Sequence, residues 1–324
     1  MINWGILGFG NMGKQFSNCF DDSSEIFSLK GISSKSNSNK NFNFKTKNIK
    51  KFNSYEDLLD DKEINAVYIS TLNNTHKGLT LAAIGKEKKI LCEKPLGINY
   101  QETESLHKIL KDKKNFFIEA IPYRSHPQTN ILLNLLKDRD FGMIKKIEAN
   151  FGFRNKRIKK DSRLFNKSLG GGAILDLGCY PISFFNLFTN NKKDIKISRC
   201  NKNLCETGVD IDGEIFLNIN ENIEAIGKVS LVKNLQNKCR IFCEKATITV
   251  PSPWVPPMKT FLEIETKSRY FKNFISTEKN TYEHQLEKVS KFFLNSLEEK
   301  NFLVDINESI QISKIIDNWL NNNN

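Results

Sequence analysis

No stretch of this 324-residue chain stays apolar for the ~18 residues that a membrane-crossing helix needs. The first residues, MINWGILGFG, lack the basic and apolar regions of a secretion signal and read as a strand, so a cytoplasmic protein away from membranes is expected. Histidine is scarce: His76, His107, His126 and His284 are not spaced as ligands, and no metal site is expected. The 7 cysteines contain no C-x-x-C pair, and Cys92, Cys239 and Cys243 sit in strand-like apolar runs as small hydrophobes in a reducing compartment. There is no internal repeat, and the one low-complexity tract is the terminal Asn321 to Asn324.

What is present suffices for real cores. Hydrophobic residues make up 39% and charged residues 27%, and the length favours two domains. The 49 basic and 37 acidic residues leave a net charge of +12. The lysines run from end to end instead of gathering on one face among aromatics, so no nucleic-acid partner is expected. Only Lys35 to Lys51 is locally basic, and it reads as a solvated segment.

The first 120 residues alternate in period. Strands are expected at Asn3 to Leu7, Ile26 to Ile32, Ala66 to Thr71, Lys89 to Cys92 and Phe116 to Ala120. Helices are expected at Asn11 to Phe20, Thr75 to Gly85 and Asn99 to Lys113, with Ser54 capping another at Asp57. Repeated βα units of this length imply an α/β, doubly wound parallel sheet. After Pro122 come a helix at Gln128 to Lys137, a strand at Lys145 to Phe153, and a long helix from Gly170–Gly172 through Phe188. Strand-like alternation over 195–267 follows, including Glu214 to Ile219, Glu224 to Val232 and Cys239 to Val250, then helices at Tyr282 to Lys300 and Asn307 to Leu320. The expectation is a nucleotide-binding domain over 1–121 and an α+β domain over 122–324 with a large open, mainly antiparallel sheet. The C-terminal helices are open to packing back on the first domain.

Gly8-Phe9-Gly10-Asn11-Met12-Gly13 is G-x-G-x-x-G between a strand and a helix, the setting in which it cradles a dinucleotide pyrophosphate. NAD binders place an acid about 20 residues beyond the third glycine. Here the second strand ends in Ser33-Ser34-Lys35, hydroxyls beside a cation that suit a 2′-phosphate. NADP is therefore the expected cofactor, with NAD as the alternative.

Two further segments join this loop: Glu93-Lys94-Pro95 after the fourth strand, and GGGAILDLGCYP from Gly170 to Pro181. The set resembles the glucose–fructose oxidoreductase/inositol dehydrogenase (Gfo/Idh/MocA) family over nearly the whole chain, most closely its NADP-dependent dihydrodiol and xylose dehydrogenase branch. Leu72 stands where that family commonly has proline. The resemblance implies a Rossmann domain followed by a substrate domain whose open sheet also makes a homo-oligomer contact. It implies that Lys94, Asp176 and Tyr180 are catalytic. It adds Ser70, Thr71, Asn73, His76 and Glu93 to the cofactor site, and it places Tyr123, Arg124 and Arg163 at the substrate. Trp254, in a proline-rich loop, shapes either the pocket or an interface.

The chemistry these residues suit is transfer of a hydride between nicotinamide and the CH–OH of a sugar, polyol or cyclic diol. A phenol near pKa ~10 is a poor base at neutral pH, and a neighbouring ammonium such as Lys94 lowers that value. Asp176 and Tyr180 are four residues apart, on one helical face. Two alternatives stand beside this reading: a sugar-nucleotide or keto-sugar reductase in polysaccharide biosynthesis, and a non-catalytic NADP-binding sensor.

Overall fold

The computed structural model describes residues 1–35, 43–113, 116–137, 141–155, 162–189, 195–295 and 302–322. The chain divides into two compact units, one of 1–125 with 282–310 and one of 126–281 with 311–324. The break thus falls at Ser125/His126, a few residues beyond the Pro122 expected from the sequence.

In the first unit, β1 (Ile2–Leu7), α1 (Asn11–Ser17), β2 (Phe27–Ser33), β3 (Lys50–Phe52), α2 (Tyr55–Asp60), β4 (Ala66–Ile69), α3 (His76–Gly85), β5 (Lys89–Glu93), α4 (Tyr100–Leu110) and β6 (Phe117–Ala120) follow in order. The sheet runs β3-β2-β1-β4-β5-β6, every pair parallel. This is the Rossmann strand order. The strands β1, β4, β5 and β6 are mostly apolar and buried because both faces are covered, while the edge strand β3 is Lys-Lys-Phe and largely exposed. Ile2, Trp4 and Ile6 of β1, with Ala66 and Tyr68 of β4, pack against Phe16 and Phe20. Val67 and Ile69 turn the opposite way, onto Ala83 of α3 and Leu106 of α4. The helix α8 (Thr281–Phe293) closes the first of these layers: Leu286, Val289 and Phe293 join that core, and Trp4 Nε1 donates to Ser290 Oγ at 3.1 Å. Ser54 caps α2 as expected, its Oγ accepting from Asp57 N at 2.9 Å.

In the second unit, α5 (Pro127–Lys137) precedes β7 (Ile144–Gly152), then α6 (Ala173–Leu177) and α7 (Cys179–Asn186). The strands β8 (Ile195–Leu204), β9 (Asp210–Ile219), β10 (Ile223–Ser230), β11 (Cys239–Cys243), β12 (Ala246–Val250), β13 (Lys259–Thr266) and β14 (Tyr270–Ser276) follow. Their sheet runs β14-β13-β12-β11-β7-β10-β9-β8. It is antiparallel except where β7 meets β10. The helices α6 and α7 lie on the sheet, Ile174 close to Gly213 and Phe185 close to Gly227. The last helix, α9 (Ile306–Asn321), is shared between the two units.

Several expected elements differ in extent or number. The long helix to Phe188 is two helices meeting at Gly178. The strand from Cys239 to Val250 is a hairpin that turns at Glu244-Lys245. The first helix stops at Ser17, three residues short of Phe20. Among the described residues, no helix is long and apolar enough to cross a membrane, and no cluster of His, Cys, Asp or Glu could hold a metal ion.

Candidate active site

The glycine loop forms where β1 ends and α1 begins. Gly13 packs so tightly that a Cβ there would lie 2.3 Å from Gly8 O, which only glycine tolerates. Ser70 Oγ ties the far side of the loop by donating to Gly8 O at 2.8 Å. Gly10 is different: nothing lies within 4 Å of where its Cβ would be. The backbone is open there, and the first turn of α1 has no capping side chain and no acidic residue. This open cradle fits a phosphate pair approaching the helix start. Asn11 is exposed and Met12 half-buried beside it, while Phe9 turns inward against Phe44, ring centroids 5.4 Å apart.

At the end of β2, Ser33 is buried and Ser34 half-buried. Lys35 is exposed, its Nζ 5.7 Å from the centre of the Tyr55 ring. Residues 36–42 of the basic segment Lys35 to Lys51 lie outside the described residues. After β4, Thr71 Oγ1 and Thr75 Oγ1 are 2.6 Å apart, and Asn73 is buried.

Lys94 follows β5 in a turn with a cis peptide to Pro95. Around it, Tyr68 Oη donates to Glu93 Oε1 at 2.5 Å. Burial, and then the Glu93 charge, keep that phenol protonated well above its ordinary range. His76 is fully buried: Nδ1 donates to Pro95 O at 2.8 Å, and Nε2 lies 3.3 Å from Thr71 O. Its ring therefore braces the backbone of two turns, at Thr71 and at Pro95. Lys94 itself is half-buried.

Tyr123 and Arg124, expected to meet substrate, are both buried. The Arg124 guanidinium is spent on Glu308, with Nη1–Oε1 at 2.8 Å and Nη2–Oε2 at 3.3 Å. A buried guanidinium needs such a partner, and Glu308 supplies it.

In the second unit, Gly172 has φ of +121° and faces Asp210, whose Oδ1 would lie 2.4 Å from an added Cβ. Asp210 Oδ2 accepts the Ile174 N–H at 2.6 Å and so caps α6. Burial pushes the Asp210 carboxyl up, against the lowering effect of that bond. Gly178 keeps helical dihedrals, φ −64° and ψ −26°, so the spiral continues from Asp176 on α6 to Tyr180 on α7. Asp176 Oδ1 accepts from Arg163 Nη1 at 3.1 Å; the carboxylate is buried and the arginine side chain 47% exposed. The half-buried Tyr180 ring meets Phe151 edge-on at 4.9 Å and Trp254 at 5.7 Å. Trp254 is itself anchored, Nε1 donating to Asn150 O at 2.8 Å. Beside it, a cleft of ≈ 380 Å³ is lined by Phe151, Trp254 and the amides of Asn234, Gln236 and Asn237.

Arg163 and Asp176 are thus brought together, as are Tyr180 and Trp254, while Lys94 belongs to the other unit. The role of Asp210 was not legible in the sequence.

Comparison with known proteins decides the family. Residues 2–120 match the Gfo/Idh/MocA oxidoreductase family, NAD-binding Rossmann fold, and residues 131–249 match the Gfo/Idh/MocA C-terminal domain. The chain is 30% identical to a trans-1,2-dihydrobenzene-1,2-diol dehydrogenase of Xenopus tropicalis over 84% of its own length and 82% of the relative's. The chain belongs to the Gfo/Idh/MocA oxidoreductase family. A solved Gfo/Idh/MocA-like fold, the 3-ketoreductase KijD10 from Actinomadura kijaniata in complex with NADP and TDP-benzene, superposes with a TM-score of 0.84 at 18% identity, covering 98% of this chain and 96% of that one. The aldose-aldose oxidoreductase of Caulobacter crescentus gives 0.81 at 16% identity, covering 98% and 95%. At that identity these likenesses establish the shared fold of this family member.

Proposed function

We propose that the chain is an NADP-dependent dehydrogenase that interconverts a secondary alcohol of a cyclic diol or sugar with its ketone. The carrying observation is the 30% identity to a dihydrodiol dehydrogenase across 84% of the chain. The open backbone at Gly10 supports dinucleotide binding. Ser33, Ser34 and Lys35, with no acid among them, support a 2′-phosphate.

When bound, the nicotinamide supplies the hydride acceptor or donor. The chain's own residues manage the proton and the substrate. Tyr180 takes the hydroxyl proton or returns it to the carbonyl oxygen. Lys94 is the cation that this reading assigns to the reaction. Phe151 and Trp254 fix the tyrosine ring. Asp176 holds Arg163, whose exposed guanidinium is free to hydrogen-bond a second substrate hydroxyl. All seven cysteines are free thiols, in keeping with a reducing cytoplasm. A homo-oligomer through the second sheet is part of the same reading, supported by exposed Phe274 on the edge strand, its ring 6.0 Å from that of Phe261 on β13.

The test is a turnover screen at 340 nm with NADP⁺ or NAD⁺ against trans-1,2-dihydrobenzene-1,2-diol, other cyclic diols and sugars. Expected is turnover favouring NADP⁺, with Lys35→Ala lowering kcat/KM for NADP⁺ at least tenfold and leaving NAD⁺ little changed. A strong NAD⁺ preference unaffected by Lys35→Ala would reject the cofactor assignment. Cofactor binding without turnover on any substrate would favour a sensor.

A further inference from the structure

Beyond the cleft at Trp254, the second unit has another cavity, at the edge of its sheet. β8 is the outermost strand, paired on one side only, with β9. Ile195 and Ile197 alternate along it, so both side chains stand on one face, half-buried, with exposed Lys196 between them turned to the other. The helix α9 lies alongside. Its Gln311, Lys314, Ile315 and Asn318 fall at i, i+3, i+4 and i+7 and form one stripe, while Ile312, Ile316 and Trp319 are buried. Trp319 Nε1 donates to Asn201 O at 3.0 Å, and Cys200 Sγ donates to Asn322 O at 3.6 Å, which fastens the end of the helix to the middle of the strand. Between the isoleucines of β8 and the helical stripe lies a cavity of ≈ 540 Å³, a size typical of small-molecule sites.

The cavity has an apolar wall and a polar one, and no carboxylate lines it. Lys314 is exposed and forms no ion pair with another described residue. Asp317, the nearest carboxylate along the helix, accepts from Asn321 Nδ2 at 3.0 Å. Gln311 Oε1 is buried without a hydrogen-bond partner among the described residues. An ammonium beside an isoleucine wall, flanked by amides, suits a molecule with an apolar body and one anionic end. A second copy of the chain suits it less: Lys196, Lys202 and Lys314 would meet like charges across a two-fold contact, and α9 already covers the strand edge at Asn201. We propose that this cavity is a second, non-catalytic site that binds an amphipathic organic carboxylate. Lys314 and the Asn318 amide take the carboxylate, and Ile195, Ile197 and Ile315 take the hydrocarbon. The site is separate from the cleft beside Tyr180: Phe151 of that cleft is on β7, three strands from β8, or about 14 Å at ~4.8 Å per strand.

The experiment is isothermal titration calorimetry of the full chain without cofactor, with sodium octanoate and 1-octanol as probes. Octanoate should bind the wild type and bind Lys314→Ala about tenfold more weakly, as loss of a charged hydrogen bond does. Octanol, which has no charge to lose, should not distinguish the two proteins. Ile315→Asn should weaken octanoate as well, with circular dichroism showing a folded chain, and saturating NADP⁺ should leave octanoate binding unchanged. Absence of octanoate binding, an affinity that Lys314→Ala leaves unaltered, or displacement of octanoate by NADP⁺ would overturn the proposal. If Ile315→Asn does not fold, Lys314→Ala decides alone. A sedimentation coefficient changed by Lys314→Ala would assign the groove to a contact between copies and likewise overturn the small-ligand site. Neither substrate nor turnover enters, so the outcome is independent of the proposed reaction.

Discussion

A carboxyl that is protonated more tightly folded than unfolded stabilises the chain at low pH. For Glu119 that contribution is full below the ordinary value of 4.5 and is lost as pH rises through about 7. Glu119→Gln should therefore gain stability relative to the wild type across this window, by on the order of 3 kcal/mol in the limit of the full shift. Urea unfolding at pH 4.5 and pH 8 checks it; a difference between the two proteins that does not change with pH would contradict it. At this scale the sequence was partly legible. Gly8, Gly10, Gly13 and Lys94 declare themselves because the loop and the Glu-Lys-Pro turn are local. The buried ion pair of Arg124 did not, because its partner Glu308 is 184 residues away and only folding brings the two together.

Among the elements, α6 shows how a short helix is made to hold the Asp176 carboxylate in place. Five residues have little helical stability of their own. Gly172 supplies a backbone turn closed to other residues, and Asp210 of β9 caps the first free N–H groups. Asp210→Ala should cost about 1–2 kcal/mol, as loss of a cap does. It should also lower turnover while leaving NADP binding, a property of the other unit, unchanged. Denaturant midpoints and cofactor titration check this; wild-type stability and turnover would show that the cap is idle. Periodicity found this helical region but ran α6 and α7 together, because Gly178 keeps helical dihedrals and leaves no pattern break. It merged β11 and β12 for a like reason: the tight turn at Glu244-Lys245 has neither glycine nor proline to mark it.

For the whole molecule, the βα alternation made the first sheet readable in advance. The second was readable only as mainly antiparallel; the parallel meeting of β7 with β10 joins strands some 80 residues apart, beyond what local pattern encodes. Phe274, 75% exposed on β14, stands in the surface proposed to join copies. Phe274→Asp should shift the sedimentation coefficient toward the monomer without loss of secondary structure; an unchanged or already monomeric wild type would refute that interface. The central claim is that Lys94 and Tyr180 serve one reaction, and a double-mutant cycle in kcat/KM on the best substrate of the screen tests it most directly. Lys94→Ala and Tyr180→Phe should each cost ~10²–10⁴-fold, and the double variant should cost little more than the worse single one, as groups acting as a unit do. Near-wild-type turnover in either single variant, or losses that simply multiply, would contradict the account.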